Sequence, residues 1–170
     1  MNIRMLLTAF VTTSLFSTSF AYSNDPIINV TNKILIKASF QKINVSSNVE
    51  VVLLQDAGVS SISITGNEKL VPYVNVNIGE GILSITCKKN LTNKHIKIYI
   101  PVTELKSLTL ASGASASTSG LLKVDDLKVL VHDGSKVVLN VIGNFEILPA
   151  DDSDLIYEKY EKSKVVYLPQ

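Results

Sequence analysis

Apolar and polar residues alternate with a period of two through most of the chain from Phe40 onward. Val49, Val51 and Leu53, for example, share one phase of the alternation. Successive side chains of a β-strand point to opposite faces, so this pattern predicts strands with one buried face. The β-branched residues that dominate these runs favour the same interpretation. The clearest runs cover residues 49–54, 61–65, 74–78, 83–88 and 96–100.

Turn-forming residues separate these runs at short intervals, so we expect short strands and tight connections. No long stretch beyond residue 21 shows the 3.6-residue period of an amphipathic helix. We therefore predict an all-β chain without helices longer than a single turn. The turn sequences include Asp56-Ala57-Gly58, Gly79-Glu80-Gly81, Asp133-Gly134 and Gly143-Asn144.

An internal repeat marks the second half of the chain. Residues 108–116 (LTLASGASA) recur as residues 129–137 (VLVHDGSKV) and, more weakly, as residues 147–155 (ILPADDSDL). An interval of roughly 20 residues is typical of one coil of a solenoid. Because each copy contains a short strand, a corner and the start of a second strand, the repeat predicts a single-stranded parallel β-helix.

Successive coils of such a solenoid stack equivalent residues on one another. The predicted internal column consists of Leu108, Val129 and Ile147. The predicted corner consists of Gly113, Gly134 and Asp152, where a positive φ favours glycine. The repeat is weaker in residues 40–100, and Gly79-Glu80-Gly81 is typical of a hairpin, so an antiparallel β-sandwich is the alternative fold for the N-terminal half.

The N-terminus has the pattern of a secretory signal peptide. Arg4 precedes a short apolar stretch, and small residues occupy positions 19 and 21. We therefore predict a signal peptide at residues 1–21, a lead-in at residues 22–35 and one β domain at residues 36–170. The mature chain is expected to be exported from a bacterial cell to the periplasm, the outer surface or the medium. No second apolar segment predicts a membrane span in the mature chain.

The charge balance argues against nucleic acid as a partner. Arg4 is the only arginine, so beyond the predicted signal peptide lysines and acidic residues are equal in number. A neutral chain without guanidinium groups is poorly suited to bind phosphates. Cys87 is the only cysteine and cannot form an internal disulfide. Its place in the alternation predicts a small core residue.

The sequence offers no recognisable catalytic, cofactor-binding or metal-binding set. His95 and His132 are the only imidazoles, and His132 is interpreted as a solvated turn residue although Asp133 follows it. Acidic residues near successive corners allow an alternative, a β-helical enzyme acting on polysaccharide or a calcium site. These residues are Asp125, Asp126, Asp133, Asp151, Asp152 and Asp154. We favour their interpretation as turn residues.

The order of four segments resembles the GIN domain of autotransporter adhesin heads. The segments are residues 40–53 (FQKINVSSNVEVVL), 67–74 (NEKLVPYV), 81–85 (GILSI) and 105–114 (LKSLTLASGA). The resemblance covers residues 36–155 and implies a right-handed parallel β-helix with a role in surface adhesion.

These observations together predict a non-enzymatic protein of the cell envelope or cell surface, with no cofactor. Its expected partner is a glycan or another protein, bound on strand faces whose outward residues are mostly serine, threonine and asparagine. The alternatives are the carbohydrate-active enzyme mentioned above and a structural envelope protein without a ligand.

Overall fold

Strands dominate the fold, as the alternation predicted. The computed structural model describes residues 28–55, 58–88, 96–132, 134–149 and 164–167. In these segments the helical structure is a single 3₁₀ turn, Val71–Tyr73. The twelve strands are β1 (Asn29–Leu35), β2 (Lys42–Ser46), β3 (Glu50–Gln55), β4 (Ser61–Asn67), β5 (Val74–Gly79), β6 (Ile82–Cys87), β7 (Ile96–Val102), β8 (Ser107–Ala111), β9 (Ser115–Thr118), β10 (Leu122–Val131), β11 (Lys136–Pro149) and β12 (Lys164–Tyr167).

The strands form one curled, open sheet in the order β1-β4-β7-β3-β9-β11-β10-β8-β2-β6-β5, with β12 paired to β11. The long strand β11 joins two walls of this sheet. Residues 136–140 pair with β9 and β12 in wall A, which also holds β3, β7, β4 and β1. Residues 141–149 pair with β10 in wall B, which continues through β8, β2, β6 and β5.

The inward side chains of both walls meet in a single hydrophobic core. Ile43 and Leu108 from wall B and Val51 and Ile98 from wall A are fully buried in the same cluster. Burial alternates strictly along β4 and along most of β2, β6 and β8, as a strand with one inner face requires. Removal of this apolar surface from water is the main source of the stability of the fold.

The predicted internal column is confirmed. Val129 lies directly opposite Leu108 on one side and Ile147 on the other, in parallel pairing. The column continues through Ile43 to Leu83. Leu108, Val129, Ile43 and Leu83 are fully buried, whereas Ile147 is half-buried at one end of the column.

The right-handed single-stranded parallel β-helix predicted for residues 36–170 is not found; the described strands form a mixed sheet. On one side, β2 and β3 pair with β8 and β9; on the other side, they pair with β6 and β7. The order of the coils in space therefore differs from their order along the chain. The pairs β1–β4, β4–β7 and β5–β6 are antiparallel. An antiparallel sandwich for the N-terminal half is not found either, since β2 and β3 pair with their neighbours in parallel.

One tight turn accounts for part of this difference. Glu80 and Gly81 connect β5 to β6 and have φ values of 53° and 75°. Two successive residues with positive φ match the right-handed twist of a two-residue hairpin. The turn reverses the chain inside wall B, whereas a solenoid would carry it across to the opposite wall.

The predicted corner is present where the chain passes from wall B to wall A. Gly113 and Gly134 have φ values of 75° and 67°, as expected. The N–H of Ser115 donates to the carbonyl of Val49 at 2.9 Å, and that of Lys136 donates to the carbonyl of Ala114 at 2.8 Å. These hydrogen bonds stack three successive corners. Asp152, the third predicted corner residue, lies outside the described residues.

Ser135 is a polar residue at an apolar position of this corner. Lys136, Ser115 and Glu50 pair with one another across wall A. The residues that precede them are Ser135, Ala114 and Val49, so Ser135 occupies the position that an apolar residue has in the other two corners. Ser135 is 1% exposed, and its hydroxyl has no hydrogen-bond partner among the described residues. A buried hydroxyl without a partner costs stability because the water it loses is not replaced.

We expect Ser135→Ala to raise the free energy of unfolding by about 1 kcal/mol, because it removes the unsatisfied group and restores the alanine found at position 114. Equilibrium denaturation in urea measures the change. Ser115→Ala is the control at a half-buried outward position and should shift stability by no more than about 0.5 kcal/mol. A less stable Ser135→Ala protein would contradict this interpretation.

A bulge in β10 lies opposite β11 in wall B. Lys123 pairs with Ile142, and Asp126 pairs with Asn144, so two residues of β10 oppose the single residue Gly143. Gly143 has a φ of 125°, and a Cβ added there would lie 1.7 Å from the carbonyl oxygen of Val124. Only glycine fits this close approach of two backbones.

The N-terminal elements also depart from the sequence pattern. The predicted lead-in, residues 22–35, includes β1, which pairs with β4. Thr31 and Thr65 hydroxyls are hydrogen-bonded at 3.0 Å across this pair. Cys87 is half-buried at the end of β6 and packs against the core, as its alternation phase predicted.

Candidate functional site

The acidic residues considered as a catalytic or calcium site are only partly described. Asp125 and Asp126 lie exposed in β10, and the side-chain amide of Asn144 donates to Asp126 Oδ1 at 3.3 Å. Asp133, Asp151, Asp152 and Asp154 lie outside the described residues. Within the described ranges, no group of three or more histidine, cysteine or acidic side chains is placed to hold a metal ion.

His132 takes part in the corner structure. Its N–H donates to the carbonyl of Leu110 at 2.9 Å, and its carbonyl accepts from the N–H of Ser135 at 3.0 Å. The residue is half-buried. These backbone contacts place His132 beside the corner, whereas the prediction was a solvated turn residue. His95 lies outside the described residues.

One patch on the outer face of wall B consists of uncharged polar residues. Seven outward residues on four neighbouring strands, β5, β6, β2 and β8, are asparagine, serine or threonine. We call them the polar face. They are Asn44, Ser46, Asn75, Asn77, Ser84, Thr86 and Thr109.

Strand register aligns these residues into rows. In the first row, Asn77 pairs with Ser84, Ser84 with Asn44, and Asn44 with Thr109. In the second row, Asn75 pairs with Thr86 and Thr86 with Ser46. Neighbouring strands lie about 4.8 Å apart, so each row presents one hydrogen-bonding side chain at each such step.

The seven residues of the polar face are uncharged, and Lys42, outward on β2 two residues before Asn44, lies beside them. Hydroxyl and carboxamide side chains both donate and accept hydrogen bonds, whereas carboxylates only accept and ammonium groups only donate. A surface of this kind matches a ligand that itself presents alternating donors and acceptors without charge. Sugar hydroxyl groups have this property.

The neighbouring rows on the outer face of wall A differ from the polar face, because they carry charged and apolar groups. Lys97 Nζ lies 3.0 Å from Glu50 Oε1. The hydrogen bond to Glu50 raises the pKa of Lys97 above its usual value. In the adjacent row, Tyr99 lies opposite Val52, and Val138 is 37% exposed. The polar face and these rows of wall A therefore offer different binding chemistry.

Sequence reasoning identified outward serine, threonine and asparagine residues but not the surface that they share. Asn75 and Asn77 lie on β5, far along the chain from Asn44 on β2. The insertion of β6 between these two strands brings them into one face. Only the order of strands in the sheet reveals it, and the alternation pattern does not encode that order.

Comparisons with known proteins agree with the fold. The profile of the family described as "Putative auto-transporter adhesin, head GIN domain" matches residues 39–150. No curated protein sequence matches the chain. None of the described residues forms a helix of sufficient length and hydrophobicity to cross a lipid bilayer.

Solved structures of bacterial proteins share the architecture. A "putative adhesin" from Parabacteroides distasonis superposes with a TM-score of 0.55 at 20% identity, covering 72% of this chain and 56% of that one. Another, from Bacteroides fragilis, gives a TM-score of 0.50 at 15% identity, covering 71% of this chain and 61% of that one. The chain thus spans less than two thirds of these relatives. The resemblance stated from the sequence is confirmed: this chain belongs to the head GIN domain family.

Proposed function

We propose that this protein is a non-enzymatic binding protein of the bacterial cell envelope or cell surface, and that it holds an uncharged glycan on the polar face. The carrying observation is the register that aligns Asn77, Ser84, Asn44 and Thr109 across four strands. The adhesin description of the family supports a role in binding.

The shape of the polar face favours an extended ligand over a small one. Its rows run across the strands, and the inward neighbours Ile43, Leu83 and Leu108 are fully buried, so the side chains stand on a rigid base. A pyranose ring is comparable in length to the step between strands. A linear polysaccharide laid along a row can therefore bring one sugar to each strand.

The proposal is tested by exposing the purified protein to an array of neutral and charged glycans, including cell-wall polysaccharides. We expect retention of neutral, linear glycans. For a retained glycan, Thr109→Lys should weaken binding by at least about tenfold, because the long charged side chain covers the β8 end of the row and carries no acceptor.

Ser117→Lys is the matched control. Ser117 is an outward, half-buried residue of β9 in wall A, so this variant adds the same charge and bulk on the opposite wall. Binding should be unchanged in the control. Equal losses of binding in both variants, or no binding to any glycan on the array, would overturn the proposal. Hydrolysis of a retained glycan would replace it with the enzymatic alternative.

Export of the protein depends on the signal peptide at residues 1–21, which is part of the proposal. We expect the protein recovered from the periplasm or the medium of a bacterial host to begin at Tyr22, since Ser19 and Ala21 are small residues before the cleavage point. Mass spectrometry of the intact protein measures the N-terminus. Recovery of the chain from the cytoplasm with residues 1–21 attached would contradict this assignment.

A further inference from the structure

A pocket of about 150 Å³ opens beside the end of β7, between the link from β1 to β2 and the residues before β4. The apolar part of its lining includes Phe40, Pro101 and Val102. Pro101 and Val102 are buried, and Phe40 is half-buried. The lining also includes three exposed residues that have side-chain hydroxyl groups, Ser39, Ser60 and Thr103.

Neighbouring contacts hold the two sides of the pocket together. The side-chain amide of Gln41, next to Phe40, donates to Glu104 Oε2 at 2.7 Å. The N–H of Lys106 donates to the carbonyl of Gln41 at 2.8 Å. The N–H of Ile36 donates to the carbonyl of Ser60, also at 2.8 Å. The pocket is therefore preformed, which lowers the entropic cost of binding.

The charge around the pocket favours a neutral ligand. None of the residues that line it is ionisable. The nearest acidic residue in the chain, Glu104, is paired with Lys106 at 3.1 Å. The hydrogen bonds from Lys106 and Gln41 lower the pKa of Glu104, so its carboxylate is already engaged. A charged ligand would find no counter-ion in the lining.

The size of the pocket indicates a single ring. A cavity of about 150 Å³ accommodates one benzene molecule, and drug-sized ligands occupy about 300–1,000 Å³. An apolar lining with an aromatic side chain suits the C–H face of a pyranose. Hydroxyl-bearing residues in the same lining can exchange hydrogen bonds with the hydroxyl groups of the sugar.

We infer that this pocket binds one neutral pyranose unit, with its C–H face against Phe40 and its hydroxyl groups toward Ser39, Ser60 and Thr103. The inference rests on the proposed function, because it assumes a glycan ligand. It adds a second, structurally separate subsite that selects a single sugar, whereas the polar face contacts an extended chain.

The test is a titration of the full mature protein, followed by amide chemical shifts, with methyl pyranosides of glucose, galactose, mannose and N-acetylglucosamine. We expect saturable shifts at Ser39, Ser60 and Thr103 with at least one of these sugars. Thr103→Val keeps the shape of the side chain and removes its hydroxyl, so the Kd should rise by about fivefold. Thr109→Val on the polar face is the control and should leave this Kd unchanged.

The outcomes separate the two proposals. Glycan retention that is lost in Thr109→Lys, without pocket shifts for any pyranoside, would overturn the pocket and leave the polar face in place. Benzyl alcohol is titrated in parallel, and saturable pocket shifts with it but with none of the sugars would also overturn the inference. Pocket shifts with a sugar, without binding of any extended glycan, would support the pocket and overturn the polar face.

Discussion

Gly143→Ala is expected to lower the free energy of unfolding by at least about 3 kcal/mol, and the variant should accumulate poorly as folded protein. The reason is steric. The new Cβ would lie 1.7 Å from the carbonyl oxygen of Val124 and 2.8 Å from its carbonyl carbon, and backbone atoms cannot move aside as a flexible side chain can. Relief of the clash requires separation of β10 from β11 at the bulge. Thermal and urea denaturation measure the loss.

Gly134→Ala is the control for the conformational part of this effect. Gly134 also has a positive φ, 67°, but its Cβ would meet no heavy atom within 4 Å. Gly134→Ala should lower the free energy of unfolding by only about 1–2 kcal/mol, the cost of placing alanine in the left-handed backbone conformation. Similar losses in both variants would mean that the contact with Val124 contributes nothing.

Leu108→Ala is expected to cost about 3–4 kcal/mol, because it leaves a cavity in the middle of the internal column. Leu108 is fully buried between Ile43 and Val129, in strands that are themselves fixed by parallel pairing. Neighbouring side chains therefore have little freedom to fill the space. Urea denaturation, with the slope of the transition checked for two-state behaviour, measures the change.

Leu130→Ala removes the same atoms from the other face of wall B. Leu130 is half-buried and lies opposite Thr109, the neighbour of Leu108. Because its side chain already contacts water, we expect a loss of about 1 kcal/mol or less. Equal losses for the two leucines would contradict the assignment of the inner and outer faces.

The sequence alone was sufficient for features that depend on local pattern. The alternation identified the inner phase of the strands, and the repeat correctly aligned Leu108 with Val129 and Ile147. Gly113 and Gly134 could be assigned to a corner because a positive φ leaves glycine with a clear advantage. These features depend on residues that are close in sequence or related by the repeat.

The order of the strands could not be obtained in this way. Alternation states which side of a strand is buried but not which strand lies beside it. The placement of β6 and β7 outside β2 and β3 depends on long-range packing, and the prediction of a regular parallel β-helix was wrong for this reason. The polar face was unpredictable as a unit because it depends on the same order.

β1 was missed for a different physical reason. It lies at the edge of the sheet, and only Val30 and Ile34 are half-buried among residues that are otherwise exposed. An edge strand with so little buried surface does not need strict alternation. Its sequence therefore resembles a linker, and the pocket beside the link from β1 to β2 was not foreseen.

The central position of β2 and β3 has a consequence for how the chain folds during synthesis. Both strands need partners from β6 to β9, which are made much later. Folds dominated by such distant pairings usually form in milliseconds to seconds, because a long loop must close before any contact compensates for the lost entropy. β2 and β3 therefore each keep one unpaired edge until β8 and β9 are available, so the centre of the sheet is completed only after the strands at its N-terminal edge.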